Sequence, residues 1–159
     1  MQQAALFVDR GTGNTLLTKD GDSTVYIMPW SAIVTDSSRA AVVGANVSVS
    51  LNAVRYFKGV WTFGTFWFPT GVANVTIAPS GPPAACLNED TNNNNILDAG
   101  EDRNASGKLE AGSPASVQVA SVTAADGTAA IRITYPRSFG GWVEVTLRAT
   151  ISTSDTESS

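Results

Sequence analysis

The chain has no histidine, a single cysteine, few bases and no long apolar run, and each shortage removes a class of function. Without histidine no Ser-His-Asp or Cys-His catalytic pair can form. The imidazole that zinc and copper sites favour is missing as well. Cys86 stands alone, so it makes no internal disulfide and reads as a small packed residue near a loop entrance. No stretch approaches the roughly 20 apolar residues of a membrane-spanning helix. The opening MQQAALFVDR lacks the basic start and apolar centre of a signal peptide. A strand-like start and the polar end TESS predict a domain cut from a longer protein, with any export signal encoded elsewhere. Ten bases against fourteen acids form no basic patch, which argues against nucleic acid as a partner and against insertion into or binding to an anionic membrane. No stretch has helical periodicity.

What is present has period two. In NVSVSLNA, Val47, Val49, Leu51 and Ala53 share one face and Ser48, Ser50 and Asn52 the other. WVEVTLRATI repeats the alternation through Val143, Val145, Leu147, Ala149 and Ile151, and AAIRITY places Ile131, Ile133 and Tyr135 inward after a turn at Ala125 to Gly127. Such alternation marks half-buried strands of antiparallel sheet. TVYIMPWSAIV is also extended, but its apolar parity shifts between Ile27 and Trp30. Because Pro29 cannot donate to a ladder, an edge or a bulge is expected there. Strands of this length separated by turn signals predict a β-sandwich. At 159 residues the chain is expected to be one domain, residues 1–159, with a real core.

One block breaks the pattern, EDTNNNNILDAGEDRNASGKLEAGS from Glu89 to Ser113. A shift of twelve residues brings Asp90 onto Asp102, Asn92 onto Asn104, Asn94 onto Ser106, Leu97 onto Leu109, Asp98 onto Glu110 and Gly100 onto Gly112. A disordered polar loop has no reason to repeat at a fixed period. Twelve is the length of a calcium loop of the EF-hand kind, with oxygen side chains at positions 1, 3, 5 and 9, a backbone carbonyl at 7 and a carboxylate at 12. The first copy supplies Asp90, Asn92, Asn94, the Ile96 carbonyl, Asp98 and Glu101. The second supplies Asp102, Asn104, Ser106, the Lys108 carbonyl and Glu110, but ends on Ser113, which makes it the poorer site. Position 6, where the chain turns with positive φ, holds Asn95 and Gly107.

Carboxylates and amide carbonyls suit a hard cation, so the expected cofactor is Ca2+, one or two ions in a structural role. The block also owns the charge. Leu87 to Ser113 contains six acids and two bases, which accounts for the whole net charge of −4 and leaves the remainder balanced. Paired carboxylates can hydrolyse glycosides, but calcium would consume those present, and the chain is expected not to be an enzyme. A loop of about thirty residues without secondary structure needs something to organise it, and the ion would do so.

The rival functional signal is VRYFKGVWTFGTFWFPTG. It gathers Tyr56, Phe57, Trp61, Phe63, Phe66, Trp67 and Phe68. Aromatic platforms stack on sugar rings, yet large aromatics also dominate sandwich cores. Parity assigns Trp61 and Phe63, with Phe66 and Phe68, to the core and leaves Trp67 as the ring that points outward. The sequons at Asn46, Asn74 and Asn104 read as incidental.

TVYIMPWSAIVTDSSRAAVVGANVSVSL resembles the opening of a bacterial immunoglobulin-like domain of the invasin and intimin type, in which a V-T-D turn leads to a G-x-x-V-x-V strand. VTAADGTAAIRITYP and WVEVTLRATIS are similar to the closing strands of that family. The C-x-N-E-D segment with its paired repeat, preceded by RYFKGVWTF, resembles the subset with a calcium-loop insertion, here residues 86–114. The resemblance covers about Leu16 to Thr156, with NNNN in place of the usual N-x-N-G and Ser113 at the last ligand position as departures. It implies an immunoglobulin-like antiparallel β-sandwich serving as a spacer or adhesion module of an extracellular bacterial surface protein. Its expected partners are neighbouring domains of the same chain and a protein or glycan receptor. A calcium-assisted carbohydrate-binding module using residues 56–68 is the alternative.

Overall fold

The structure is a computed structural model that describes residues 6–13, 15–19, 21–65, 67–71 and 84–152. Among the described residues the regular elements are nine strands and one short 3-10 turn, Arg137–Phe139, so the chain is all-β. The strands are β1 (Phe7–Gly11), β2 (Leu17–Lys19), β3 (Asp22–Thr35), β4 (Asn46–Phe63), β5 (Trp67–Gly71), β6 (Ala84–Leu87), β7 (Ser116–Val119), β8 (Thr128–Pro136) and β9 (Val143–Ser152). One sheet has the order β1-β3-β8-β7, with β2 also on β3; a second has the order β5-β4-β6, with β9 also on β4. The pairings of β3 with β1, β2 and β8, of β7 with β8, and of β4 with β5 and β6 are antiparallel.

The chain divides into two compact units, and the boundary falls inside β4 and β9. The first unit comprises residues 1–51, 115–136 and 147–159. Its core is the buried cluster of Ala32, Val34, Ala45, Val47, Ala129, Ile131 and Ile133. Met28, Trp30, Val49, Leu51, Tyr135, Leu147 and Ile151 pack around that cluster, so one face of the first sheet meets the start of β4 and the end of β9. The period-two readings hold here. Val47, Val49 and Leu51 alternate with exposed Ser48, Ser50 and Asn52, and the whole of β9 alternates half-buried with exposed. Carboxylates cap the turns: Asp36 accepts from Ser38 and Ala40 N–H groups, and Asp126 accepts from Thr128.

Pro29 sits at an edge and not at a bulge. The register of β3 against β8 is unbroken from Val25↔Pro136 to Ile33↔Thr128. On the other side β2 stops pairing at Ile27 and β1 begins at Ser31, so Pro29 faces the gap between them. Its carbonyl accepts the Thr12 hydroxyl at 2.9 Å, and a nitrogen without a proton loses no ladder bond there. The parity shift has another cause. Ile27 is buried on the face opposite the core cluster, where it pairs with Leu17.

The second unit comprises residues 52–114 and 137–146. Here β4 continues between β6, which pairs Arg55↔Leu87 through Lys58↔Ala84, and β9, and it ends in a hairpin with β5. Tyr56 is buried, but Trp61 is 47 % exposed and Phe63 63 % exposed. The assignment of these two rings to the core is therefore corrected. Alternation ranks positions by face, but burial needs a layer opposite, and the buried apolar cluster lies entirely in the first unit. Trp61 instead stands edge-on to Trp142, with ring centroids 5.7 Å apart. Phe66, the side chains of Trp67 and Phe68, and the sequon at Asn74 lie outside the described residues.

Two glycines of the first unit separate backbone conformation from crowding. Gly44 and Gly127 have nearly the same φ, +73° and +75°. A Cβ on Gly44 would meet open space, whereas on Gly127 it would lie 2.8 Å from the Val34 carbonyl oxygen and 3.0 Å from the Ala41 Cβ. Gly44→Ala is expected to lose about 1–2 kcal/mol through its left-handed backbone. Gly127→Ala should lose about 1–3 kcal/mol more through overpacking. Urea denaturation of the two variants checks this, and equal midpoints would show that the Ala124–Gly127 turn moves away freely.

Candidate metal centre

No strand or helix lies between Leu87 and Ser116, yet the backbone there repeats. Left-handed residues occur at Asn93 and Ala105 (φ 59° and 55°), at Asn95 and Gly107 (61° and 71°), and at Gly100 and Gly112 (91° and 61°). Each pair is separated by twelve residues. Asn95 thus adopts the conformation expected of the sixth loop position, which asparagine tolerates better than most residues.

The hydrogen bonds repeat with the backbone. Asp90 accepts the Asn94 N–H on Oδ1 at 3.1 Å and the Asn95 N–H on Oδ2 at 3.0 Å. Asp102 accepts those of Ser106 and Gly107 in the same way, both at 2.8 Å. The fifth-position side chain accepts the seventh N–H in both copies, Asn94 from Ile96 at 2.7 Å and Ser106 from Lys108 at 3.3 Å. The third position reaches the ninth: Asn92 donates to Asp98 at 2.8 Å, and Asn104 to Glu110 at 2.7 Å. Asn94 also donates to Asp98 at 2.8 Å, and the Ser106 hydroxyl donates to the Lys108 carbonyl at 3.2 Å. The first copy therefore draws Asn92, Asn94 and Asp98 to one point. In the second copy Asn104 meets Glu110, while Ser106 turns to its own backbone.

Among the described residues no three Asp, Glu, Cys or His side chains converge as a metal cluster. What converges in the first loop is one carboxylate and two amides. Their NH2 groups face Asp98 because each amide oxygen already accepts a backbone N–H, Asn92 that of Asn94 at 3.0 Å and Asn94 that of Ile96 at 2.7 Å. With an ion at that point the two amides would turn their oxygens toward it and release those N–H bonds, and the donor set would then be all oxygen, as a hard cation such as Ca2+ requires. Asp90 and Glu101 are buried, whereas Asn92, Asn94, Ile96 and Asp98 are exposed.

Glu101 closes the first loop through backbone. Its Oε1 accepts the Thr91 N–H and hydroxyl, both at 2.8 Å, and its Oε2 accepts the Asp98 N–H at 3.0 Å. These bonds, the one at Asp98 foremost, hold its carboxyl below the ordinary glutamate value. Glu110 is also held low, chiefly by the Lys58 ammonium at 2.8 Å and then by the Tyr56 hydroxyl at 3.0 Å and Asn104. Burial, reinforced by Glu110, pushes the Tyr56 phenol well above its usual value. The second copy is thereby fastened to β4. A further anchor is Asn88, whose N–H donates to the Val54 carbonyl at 3.1 Å and whose amide donates to those of Ala53 and Asp90, both at 3.2 Å.

Sequence reasoning missed Asn88, Tyr56, Lys58 and Glu89. The first three belong to no repeat. Glu89 had a signal, because Glu-Asp-x-Asn occurs at residues 89–92 and again at 101–104, so the repeat starts one residue before Asp90. In the structure Glu89 is 1 % exposed and accepts the Arg103 N–H at 3.2 Å and the Glu110 N–H at 3.0 Å.

No family model matches the chain, and comparison with curated proteins and with solved structures found no match.

Acid should open this segment first. Glu101 and Glu110 both have depressed folded values, so their contribution is complete above the unperturbed glutamate pKa of about 4.3 and is lost as the pH falls through the folded values. In an NMR acid titration the Thr91 and Asp98 amides are expected to collapse to unfolded shifts below about pH 4, while the Ile131 amide keeps its folded position. Simultaneous loss of all three would refute a separate loop transition.

Proposed function

We propose that this chain is a non-enzymatic, calcium-stabilised structural or adhesion module of a bacterial cell-surface or secreted multidomain protein, built as an immunoglobulin-like β-sandwich with residues 86–114 as its ion-binding insertion. The observation that carries the calcium reading is the twelve-residue repeat of both backbone conformation and ligand-type side chains. The packing of the first sheet onto the start of β4 and the end of β9 supports the sandwich. The ion orders a segment that has no ladder and so stiffens the chain on either side of it. Its partners on this reading are neighbouring domains of the same chain and a receptor on another surface.

The make-up of the first site, with amides at positions 3 and 5, belongs with extracellular modules that bind calcium at about 10⁻⁴ to 10⁻³ M. A few millimolar Ca2+ should then add about 1–2 kcal/mol per site. Thermal melts in EDTA and in about 3 mM Ca2+, with Mg2+ as the control, are expected to separate in calcium alone. Superimposable curves would remove the calcium reading.

Carbohydrate binding is the second reading, and the exposure of Trp61 and Phe63 favours it. With Trp61 outside the core, Trp61→Ala should lose its edge contact with Trp142, about 0.5–1.5 kcal/mol beyond the area involved, and its cover over Gly141, and stay folded. A glycan array separates the readings. Calcium-dependent retention by the parent that Trp61→Ala abolishes would establish the platform, and an empty array leaves the spacer.

A further inference from the structure

Taken in linear order, the second loop has no closing carboxylate, because its twelfth residue is the exposed Ser113. The geometry supplies one from the other end of the block. Glu101 accepts from Thr91 on Oε1 and from Asp98 on Oε2, and its own N–H donates to the Asp98 carbonyl at 3.1 Å. Glu89 accepts from Arg103 on Oε1 and from Glu110 on Oε2, and its own N–H donates to the Glu110 carbonyl at 2.7 Å. Every partner of Glu89 lies twelve residues beyond the corresponding partner of Glu101. Glu89 does for the second loop what Glu101 does for the first, although it stands upstream of both.

The closure is therefore circular. The loop that Asp90 opens is closed by Glu101, which is bonded to Asp102; the loop that Asp102 opens is closed by Glu89, which is bonded to Asp90. Each loop's first ligand and the other loop's closing residue form one dipeptide. A separate electrostatic observation points to cations. Glu89, Asp90 and Glu101 are 1 %, 4 % and 4 % exposed. Lys58 pairs with Glu110 and Arg55 with Glu144. These three neighbouring carboxylates are held by backbone N–H groups and, at Glu101, also by the Thr91 hydroxyl, and buried charge is stable when it is paired or bound to metal. Each carboxylate oxygen that holds one N–H keeps a lone pair for an ion.

Resting on the calcium reading above, we infer that residues 88–113 form a two-ion cassette in which Glu89 completes the second site, and that the two ions bind with positive cooperativity. An ion held by Asp90 fixes the adjoining Glu89 and lowers the ordering cost of the second site. An ion held by Asp102 does the same for Glu101 and the first.

The test is calorimetric titration of the full chain with Ca2+, with circular dichroism as the folding control. The parent is expected to take two ions with a Hill coefficient above 1. Glu89→Gln should weaken the second ion by at least about tenfold and return the coefficient to 1, matching Asp102→Asn. Ser113→Ala and Ser113→Glu should leave both sites unchanged. If Glu89→Gln fails to fold, the Ser113 pair decides: a parent with two ions and silent Ser113 variants upholds the circular closure. A tighter second site in Ser113→Glu, or a weaker one in Ser113→Ala, overturns it. A parent that takes one ion, or two independent ions untouched by Glu89→Gln, refutes this inference and leaves the calcium reading standing. A parent that takes none removes both.

Discussion

A backbone N–H that leaves a β-ladder must find another acceptor, and between β6 and β7 the main acceptors are carboxylates. Glu89, Asp90, Glu101 and Asp102 take eight backbone N–H groups between them, one on each oxygen. Hydrogen bonds to an ionised acceptor are stronger than neutral ones, so a few side chains can replace a ladder. The arrangement explains why the negative charge of the chain is concentrated in one block. It also explains how a segment without strand or helix holds a repeated backbone. The same charge that satisfies the amides accumulates as buried anion, and that excess is what a bound cation would relieve.

The block is tied to the middle of β4 by contacts of three kinds. Asn88 bonds to the backbone at Ala53 and Val54, Tyr56 donates its hydroxyl to Glu110, and Lys58 pairs with the same carboxylate. Lys58 also lies 5.5 Å from the centre of the Tyr56 ring. A half-exposed ion pair adds little alone, whereas the buried Tyr56 hydroxyl fixes Glu110 in one place. Glu110 is thus both a candidate ligand and a fastening, and events at the second loop reach β4 through it and through Asn104, which donates to the Tyr56 hydroxyl at 3.5 Å. Further along β4 the residues leave this contact zone, and Trp61 and Phe63 become exposed.

The all-β class was legible because alternation needs no knowledge of partners: a strand buried on one face shows the period whatever lies opposite. Val47 to Leu51, Ile131 to Tyr135 and the length of β9 were read in this way. The parity break at Ile27 was visible, but its cause was not, since burial on the second face depends on β2 lying beside it. Trp61 and Phe63 fail for the same reason. Parity states which side a ring takes, and only the layers present state whether that side is covered.

The two twelve-residue loops divide in the same manner. Positions one, three, five, six, seven and nine are linked by hydrogen bonds that span two to six residues. A twelve-residue repeat encodes them completely, because the local backbone alone brings such neighbours together. The sequence by itself therefore determined the all-β class, the placing of the charge and the internal design of each loop. Only the tertiary structure decided that the second loop closes on Glu89, whose carboxylate meets amides 14 and 21 residues ahead. At that separation the chain returns along many routes, and the one taken depends on where β6 and Asn88 hold the start of the block against β4.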